Sequence, residues 1–459
     1  MHKISTFFTL LCSLMVSISL FAQKPTPTKS LVATRYYSGF ADAHNTYNGL
    51  SEASDGKIYY VLSSVLHDTG GQMYVYDPET EDIEFLADLT EISGEKEAKA
   101  ISQGKSHVRF YEKDDHLYFA THLGFYEMID GIERLPVTPP EGYQLYPGGH
   151  FLAYNMSTKE FEKLADAPEG EGIITMTMDE TRGQLYGITW PTGHFLHYDL
   201  NKKEMKQMAS VFAKGEGGIP GKDYRVICRS MFVDHRDGTV YFSNSEGSIY
   251  SYNPAGNKGI TLVEGVDLRL DYFGTYDPTR PGNMAYNWRR IVWSRAEGVA
   301  YGVHGNSGYL FRFDPKAPSI ELMDRITSEP SKRSGMYDYF TYGYLGFQLG
   351  PDNETLYYLT GGPIYEDGKR ITGDNTIKVG TKGLENLHLI TYHIPTRTYI
   401  DHGAIFYQDG ARPTYVNSIA VDPNGNVYAL ALFVHEGKEI QDLIRIPNPF
   451  TDCLLYTSD

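Results

Sequence analysis

The chain is predicted to be all-β, a seven-bladed β-propeller of four-stranded antiparallel blades, on three observations. An aliphatic-Tyr pair returns seven times: Ile58-Tyr59, Leu117-Tyr118, Leu185-Tyr186, Val240-Tyr241, Ala300-Tyr301, Leu356-Tyr357 and Val427-Tyr428, at spacings of 55 to 71 residues. A second phrase, an aromatic residue before Asp or Asn and often Pro, follows the first six copies: Tyr76-Asp77-Pro78, Tyr154-Asn155, Tyr198-Asp199, Tyr252-Asn253-Pro254, Phe313-Asp314-Pro315 and, degraded, Tyr392-His393. Beyond the first two dozen residues no stretch sustains a 3.6-residue apolar period; short alternating runs broken by Asp-Gly, Asn-Gly or Gly-Gly turns dominate instead, which is the grammar of strands and hairpins. A period of supersecondary size marks a repeat architecture. A four-stranded unit cannot cover both of its faces, and radial packing of seven such units does.

The elements follow in order. Lys3, the apolar run Phe7 to Phe21 and Ala22 before Gln23 read as a secretory signal peptide over residues 1–22, too short and wrongly flanked for a membrane span. Residues 23–30, with Pro25-Thr26-Pro27-Thr28, read as a linker, and the propeller is expected over 31–452. The second phrase lies 11 to 17 residues after the Tyr in four copies but 36 and 35 after it in copies two and six, so those blades carry insertions. In copy four, Arg225 to Val233 is the expected first strand, His235 to Gly238 a turn, Thr239 to Ser243 the second strand and Gly247 to Tyr252 the third. The segment near Leu31 to Tyr37 is expected to complete the last blade beside the strands around Val427 and Ile444. Residues 453–459 break the blade grammar and read as a non-native tail. The repeated Tyr residues read as packing between blades. The Trp-Asp ending of WD blades, the Asp box of sialidases and the Gly-Gly pattern of kelch blades do not occur.

Composition narrows the partner. A formal net charge of -17 argues against nucleic acid, which demands a basic face. It allows an anionic glycan if a local basic pocket overrides the field. With Cys12 in the signal segment and Cys453 in the tail, Cys228 is left alone in the mature chain, so no intrachain disulfide forms; seven blades supply a core without one. The reading is of a secreted or periplasmic monomer with an acidic polysaccharide as partner.

Propellers bind ligands at the rim where each innermost strand begins. Those positions hold His107 and Arg109, with His122, in copy two; Ile173 and Thr175, with Trp190 to His194, in copy three; Arg225 and Arg229, after Tyr224, in copy four; and Asn287 and Arg289, with His304, in copy five. By the two-residue period of a strand, His107 and Arg109 share a face, as do Arg225 and Arg229, and Asn287 and Arg289. Buried charge in a narrow channel is costly, so this convergence points to a site. Arg matches a carboxylate bidentately and an aromatic ring covers a sugar face. Uronate glycans can be cut by β-elimination, which needs a cation on the carboxylate, a base for the C5 proton and an acid for the leaving oxygen. His107, His122, Arg225 and Arg229 are the catalytic candidates; Arg109, Trp190, His194, Tyr224, Asn287, Arg289 and His304 are the substrate-binding candidates. No cofactor is required by this chemistry. A structural zinc or calcium would be an addition to it: Cys228, His235 and His304 are zinc-suited residue types, and His194 and His197 flank a turn.

Several of these blocks resemble a known family. Ser106-His107-Val-Arg-Phe with Leu117-Tyr-Phe-Ala-Thr-His122, Pro147-Gly-Gly-His150 to Tyr154, Tyr186-Gly-Ile-Thr-Trp-Pro-Thr-Gly-His194, the Arg225 to Arg229 segment and Tyr301-Gly-Val-His304 are similar to the β-propeller ulvan lyases and related rhamnose–glucuronate lyases. The resemblance implies a secreted polysaccharide lyase that uses His and Tyr for proton transfer and Arg to neutralise a uronate, in some members with a metal ion. It also implies a catalytic Tyr on the rim of blade three, where this chain has Ile173 and Trp190; Tyr186 lies nearby but starts its strand, toward the opposite end, and Tyr224, just before Arg225, is the stand-in. The rival expectation is a non-catalytic propeller that binds an acidic glycan for a surface uptake system.

Overall fold

The computed structural model describes residues 31–451 apart from 257, 274–275, 280–284, 306, 335–345, 364, 367–368 and 371–384. The expected signal peptide, linker and tail lie outside the described residues. Five four-stranded antiparallel sheets occur in chain order as blades one to five, and an eight-stranded sheet supplies blades six and seven. That larger sheet divides at Leu31–Arg35, which pairs antiparallel with the last strand of blade seven (Thr34 with Arg445, Arg35 with Ile444) and parallel with the last strand of blade six (Leu31 with Ile405). The amino-terminal strand therefore closes the ring as expected. Its partner is Lys438–Ile446, with the Val427–His435 strand one position further in. Among the described residues no helix is long and apolar enough to cross a membrane.

Each sequence phrase has a physical job. The Tyr of the aliphatic-Tyr pair sits on the second strand of every blade and is buried in all seven copies. Aromatic rings bridge adjacent blades: Tyr59 to Tyr154 between one and two, Phe195 to Phe242 between three and four, Phe232 to Trp288 between four and five, and Tyr76 to Tyr428 between one and seven. Each such pair adds about 0.5–1.5 kcal/mol to the burial itself. The aromatic-Asp/Asn phrase ends the third strand. Its carboxylate or amide oxygen accepts from the backbone N–H two residues on: Asp77 from Glu79, Asn155 from Ser157, Asp199 from Asn201, Asn253 from Ala255, Asp314 from Lys316. Pro can follow because it presets φ and its N–H is not wanted there.

Among the described residues each insertion, of copies two and six, contains a two-stranded pair, Glu127–Ile129 with Ile132–Arg134 and Tyr365–Glu366 with Lys369–Arg370. The largest departure from the strand reading lies in copy four. Its first strand is only Phe232–Asp234, and residues 222–230 run outside any ladder. Copy two is alike: its innermost strand is Tyr111–Lys113, preceded by a loop that carries His107 and Arg109.

Candidate functional site

A cavity of ≈ 210 Å³ opens where the innermost strands begin, lined by side chains from blades one to five. Backbone pairing builds its floor. Lys105 and His122 exchange both N–H···O bonds, at 2.9 and 2.8 Å, so the loop before the first strand of blade two lies directly against the end of its second. Glycine permits this closeness: a Cβ on Gly124 would stand 1.8 Å from the carbonyl oxygen of Ser64, and one on Gly172 would stand 2.1 Å from Nδ1 of His122. Asn48, left-handed at φ 54°, donates to the carbonyl of His107 at 2.8 Å and ties blade one to the same loop.

The two histidine rings meet edge to face, 4.7 Å between centres, and both are buried. Tyr47 stacks on His107, and its hydroxyl is hydrogen-bonded to that of Tyr415. His107 lines the cavity, and its Nε2 is buried with no hydrogen-bond partner among the described residues. Nε2 of His122 is 3.0 Å from the hydroxyl of Tyr126, and Trp190 packs edge-on against both rings. Burial pushes both histidines well below their ordinary range; His122, Lys105, Arg229 and Arg289 push His107 further, and Lys105 with Arg229 does the same to His122. Both imidazoles are therefore neutral at pH 7. Burial drives the Tyr126 phenol well above its usual value, which keeps its proton on oxygen.

Three cations line the cavity: Lys105, Arg229 and Arg289. Arg229 forms an ion pair with Glu216 at 2.6 Å and donates to the carbonyl of Ile227 at 2.8 Å. Glu216 also accepts from the Trp190 indole (3.1 Å) and the Ile227 amide (3.0 Å), so one carboxylate orients an arginine and an aromatic wall together. Lys105 is 4 % exposed, and its ammonium lies 5.0 Å from the Tyr126 ring centre with no ion pair among the described residues. Burial lowers it to about 8 against the opposing pull of Glu133. Glu133 and Tyr126 come with the copy-two hairpin and its lead-in, which is pinned over the cavity by Arg134 donating to the Glu216 carbonyl at 2.6 Å.

Of the residues singled out in the sequence, His107, His122, Arg229, Arg289 and Trp190 share this cavity, and six do not line it. Arg225 is turned to Glu246 (2.8 Å) and Tyr276: the segment before Phe232 is not a strand, so the two-residue period that placed Arg225 beside Arg229 does not hold. Asn287 accepts from Ser243 (2.8 Å) and donates to the Val226 carbonyl (3.3 Å). A bulge between Trp288 and Arg290 separates its direction from that of Arg289. His304 stacks on Phe273 at 4.1 Å and is bonded to Ser307 and to the Ala285 carbonyl, a satisfied core histidine. Tyr224 packs with Val226 and Ile132 under Arg134. His194 stays on the hairpin turn of blade three, where its amide is held by Thr189. Arg109 lies deeper in the channel, within electrostatic reach of Glu52 and Glu180.

The zinc-suited trio also parts. Cys228 is buried against Ser230 and Ser243, His235 faces Glu180, and His304 is engaged as above. His197 is occupied by Gln184 and Tyr252. Among the described residues no group of three His, Cys, Asp or Glu is placed to hold a metal ion.

Tyr47, Asn48, Lys105, Tyr126, Glu133 and Glu216 were not singled out in the sequence. The one signal that pointed toward any of them is the long spacing in copy two, which carries Tyr126 and Glu133.

No family model and no curated protein matches the chain. Among solved structures it is similar to a streptogramin B lyase (10 % identity, 91 % of this chain and 97 % of that one, TM-score 0.48). It is likewise similar to the Cps50 (Swd1) β-propeller domain of Myceliophteria thermophila (7 %, 91 % and 98 %, 0.49) and to a putative 6-phosphogluconolactonase from Bacteroides uniformis (12 %, 82 % and 91 %, 0.45). These proteins have different jobs, and the function of this chain is argued from its own cavity.

Proposed function

We propose that the protein is a polysaccharide lyase that cleaves a uronate-containing glycan, of ulvan or rhamnose–glucuronate type, by β-elimination in this cavity. The observation that carries the reading is the meeting of two neutral histidines, a protonated phenol bonded to one of them, and three cations around one buried space. Lys105, Arg229 and Arg289 hold the uronate carboxylate. As the C5 proton leaves, charge moves onto that carboxylate, so the cations stabilise the transition state more than the ground state. His107, whose Nε2 has no partner among the described residues, takes the C5 proton. The electron pair forms the C4–C5 double bond and expels the glycosidic oxygen at C4. The Tyr126–His122 pair delivers a proton to that oxygen, which gives one unsaturated end and one free hydroxyl. Tyr126 fills the role that the family resemblance assigns to a Tyr on blade three, entering instead from the insertion side of blade two. Trp190 and Tyr47 form walls.

The test is incubation with a panel of uronate polysaccharides, following the ultraviolet absorbance of the conjugated product. Product formation that disappears in His107→Ala supports elimination here. Binding across the panel with no unsaturated product from any member overturns the lyase reading in favour of a glycan-binding propeller.

A further inference from the structure

Deeper along the channel than the cavity, two arginines from blades on opposite sides of the ring lie within electrostatic reach of each other. Arg109 precedes the innermost strand of blade two, and Arg290 follows the bulge on the innermost strand of blade five. Arg290 is 7 % exposed and its Nε is without a hydrogen-bond partner. Among the described residues neither guanidinium makes a hydrogen bond or an ion pair. Burial strips water from Arg290, Arg109 is half-buried, and Arg109 adds repulsion to Arg290. A buried charge without a partner beside a second like charge is costly, and arginine does not escape the cost by losing its proton near neutral pH.

The carboxylates in reach do not cancel them. Glu180 is engaged with Arg295 at 3.3 Å and His235 at 3.6 Å. Glu52 is raised to about 7 by burial first and then by Glu112 and Asp422, so near neutrality it carries only part of a charge. The Tyr111 hydroxyl is spent on the Met176 carbonyl at 3.0 Å. The balance at this level of the channel is positive.

We infer that the channel holds a second, structural binding site, in which a small inorganic anion bridges Arg109 and Arg290 and ties blade two to blade five across the ring. A halide or a small oxyanion such as sulfate supplies the missing acceptor for both guanidinium groups, the oxyanion bidentately. This site is separate from the cavity and stands whether or not the protein is a lyase.

The experiment is thermal unfolding of the full chain at constant pH and ionic strength, replacing the salt of a bulky sulfonate buffer by chloride in one arm and sulfate in the other. The wild type should gain about 3 °C, saturably, in at least one arm, since an anion bound only to the folded state stabilises it. Arg290→Met and Arg109→Met should lose the increment, and in the sulfonate buffer Arg290→Met should melt no lower than the wild type because an uncompensated charge has gone. Lys105→Met should keep the increment, which separates this site from the cavity cations. A wild-type melting point indifferent to all three salts, or an increment that survives in both arginine variants, overturns the proposal.

Discussion

Arg229 and Arg290 are both arginines on the inner edge of a blade, and the protein treats them in opposite ways. In the cavity, Arg229 is held by Glu216, which also grips Trp190 and the Ile227 amide, so its charge is fixed in direction and its burial is offset. Deeper in the channel Arg290 has no such partner among the described residues and feels the like charge of Arg109. The bulge at Trp288 and Arg290 lets consecutive residues serve the two levels, Arg289 the cavity and Arg290 the channel below. Pairing within the protein leaves a cavity ready to take a large acidic ligand reversibly; absence of pairing calls for a small ion that stays. The same residue type thus does two kinds of work at two levels of one channel.

The strongest way to break this contrast is at the histidines. His107→Ala or His122→Ala should each lower unsaturated-product formation by ~10²–10⁴-fold, with circular dichroism unchanged. Near-normal rates in both variants would remove the chemistry from the cavity altogether. Because both imidazoles are held neutral by burial, wild-type turnover should keep its level as pH falls to 6.5, where an ordinary histidine would be half charged. Glu216→Ala comes next: urea unfolding should show a loss of about 3 kcal/mol, since it strands a largely buried guanidinium and two N–H donors.

Lys105 sharpens the comparison by pH. Affinity for the acidic glycan, measured by calorimetry, should weaken as pH rises through about 8, where the ammonium loses its proton, and Lys105→Arg should carry the affinity past that point. The effect on stability runs the other way. The folded value lies below the unfolded one, so the cost of the buried charge is fully present below about 8 and is relieved as pH rises toward 10.5. A pH series of melting points for wild type against Lys105→Met reads this directly. The smallest effect is expected at His194→Gln, on its hairpin turn outside the cavity, where stability should move by no more than about 0.5 kcal/mol and turnover should be unaltered.

The propeller was legible because its repeats are local chemistry. Tyr59 and its six counterparts each bury the same ring at the same place in a blade, and Asp77, Asn155 and Asp199 each close the same turn. The site was legible by half. His107, Arg229 and Arg289, in or just before an inner strand, and His122 and Trp190, at the end of a second strand, stood out because charged or aromatic residues at these rim positions are rare in a core. Arg225 and Asn287 were misplaced because the alternation of a strand was applied where residues 222–230 form no strand and where a bulge interrupts one. Lys105, Tyr126 and Glu216 went unseen because they lie outside the strand ends that the repeat marks as rim positions. The spacing of copy two announced an insertion without saying which way it would fold.

Closure by Leu31–Arg35 sets an order of events. The first strand of the propeller to be synthesised is the last to find its place, because its partners, across a separation such as the 374 residues from Arg35 to Asp409, are among the last to be made. Until then blade seven has an open edge and blade six an uncovered flank. A circular permutant that moves 31–35 behind Ile446 would turn blade seven into four consecutive strands and let the ring close in the order it is read.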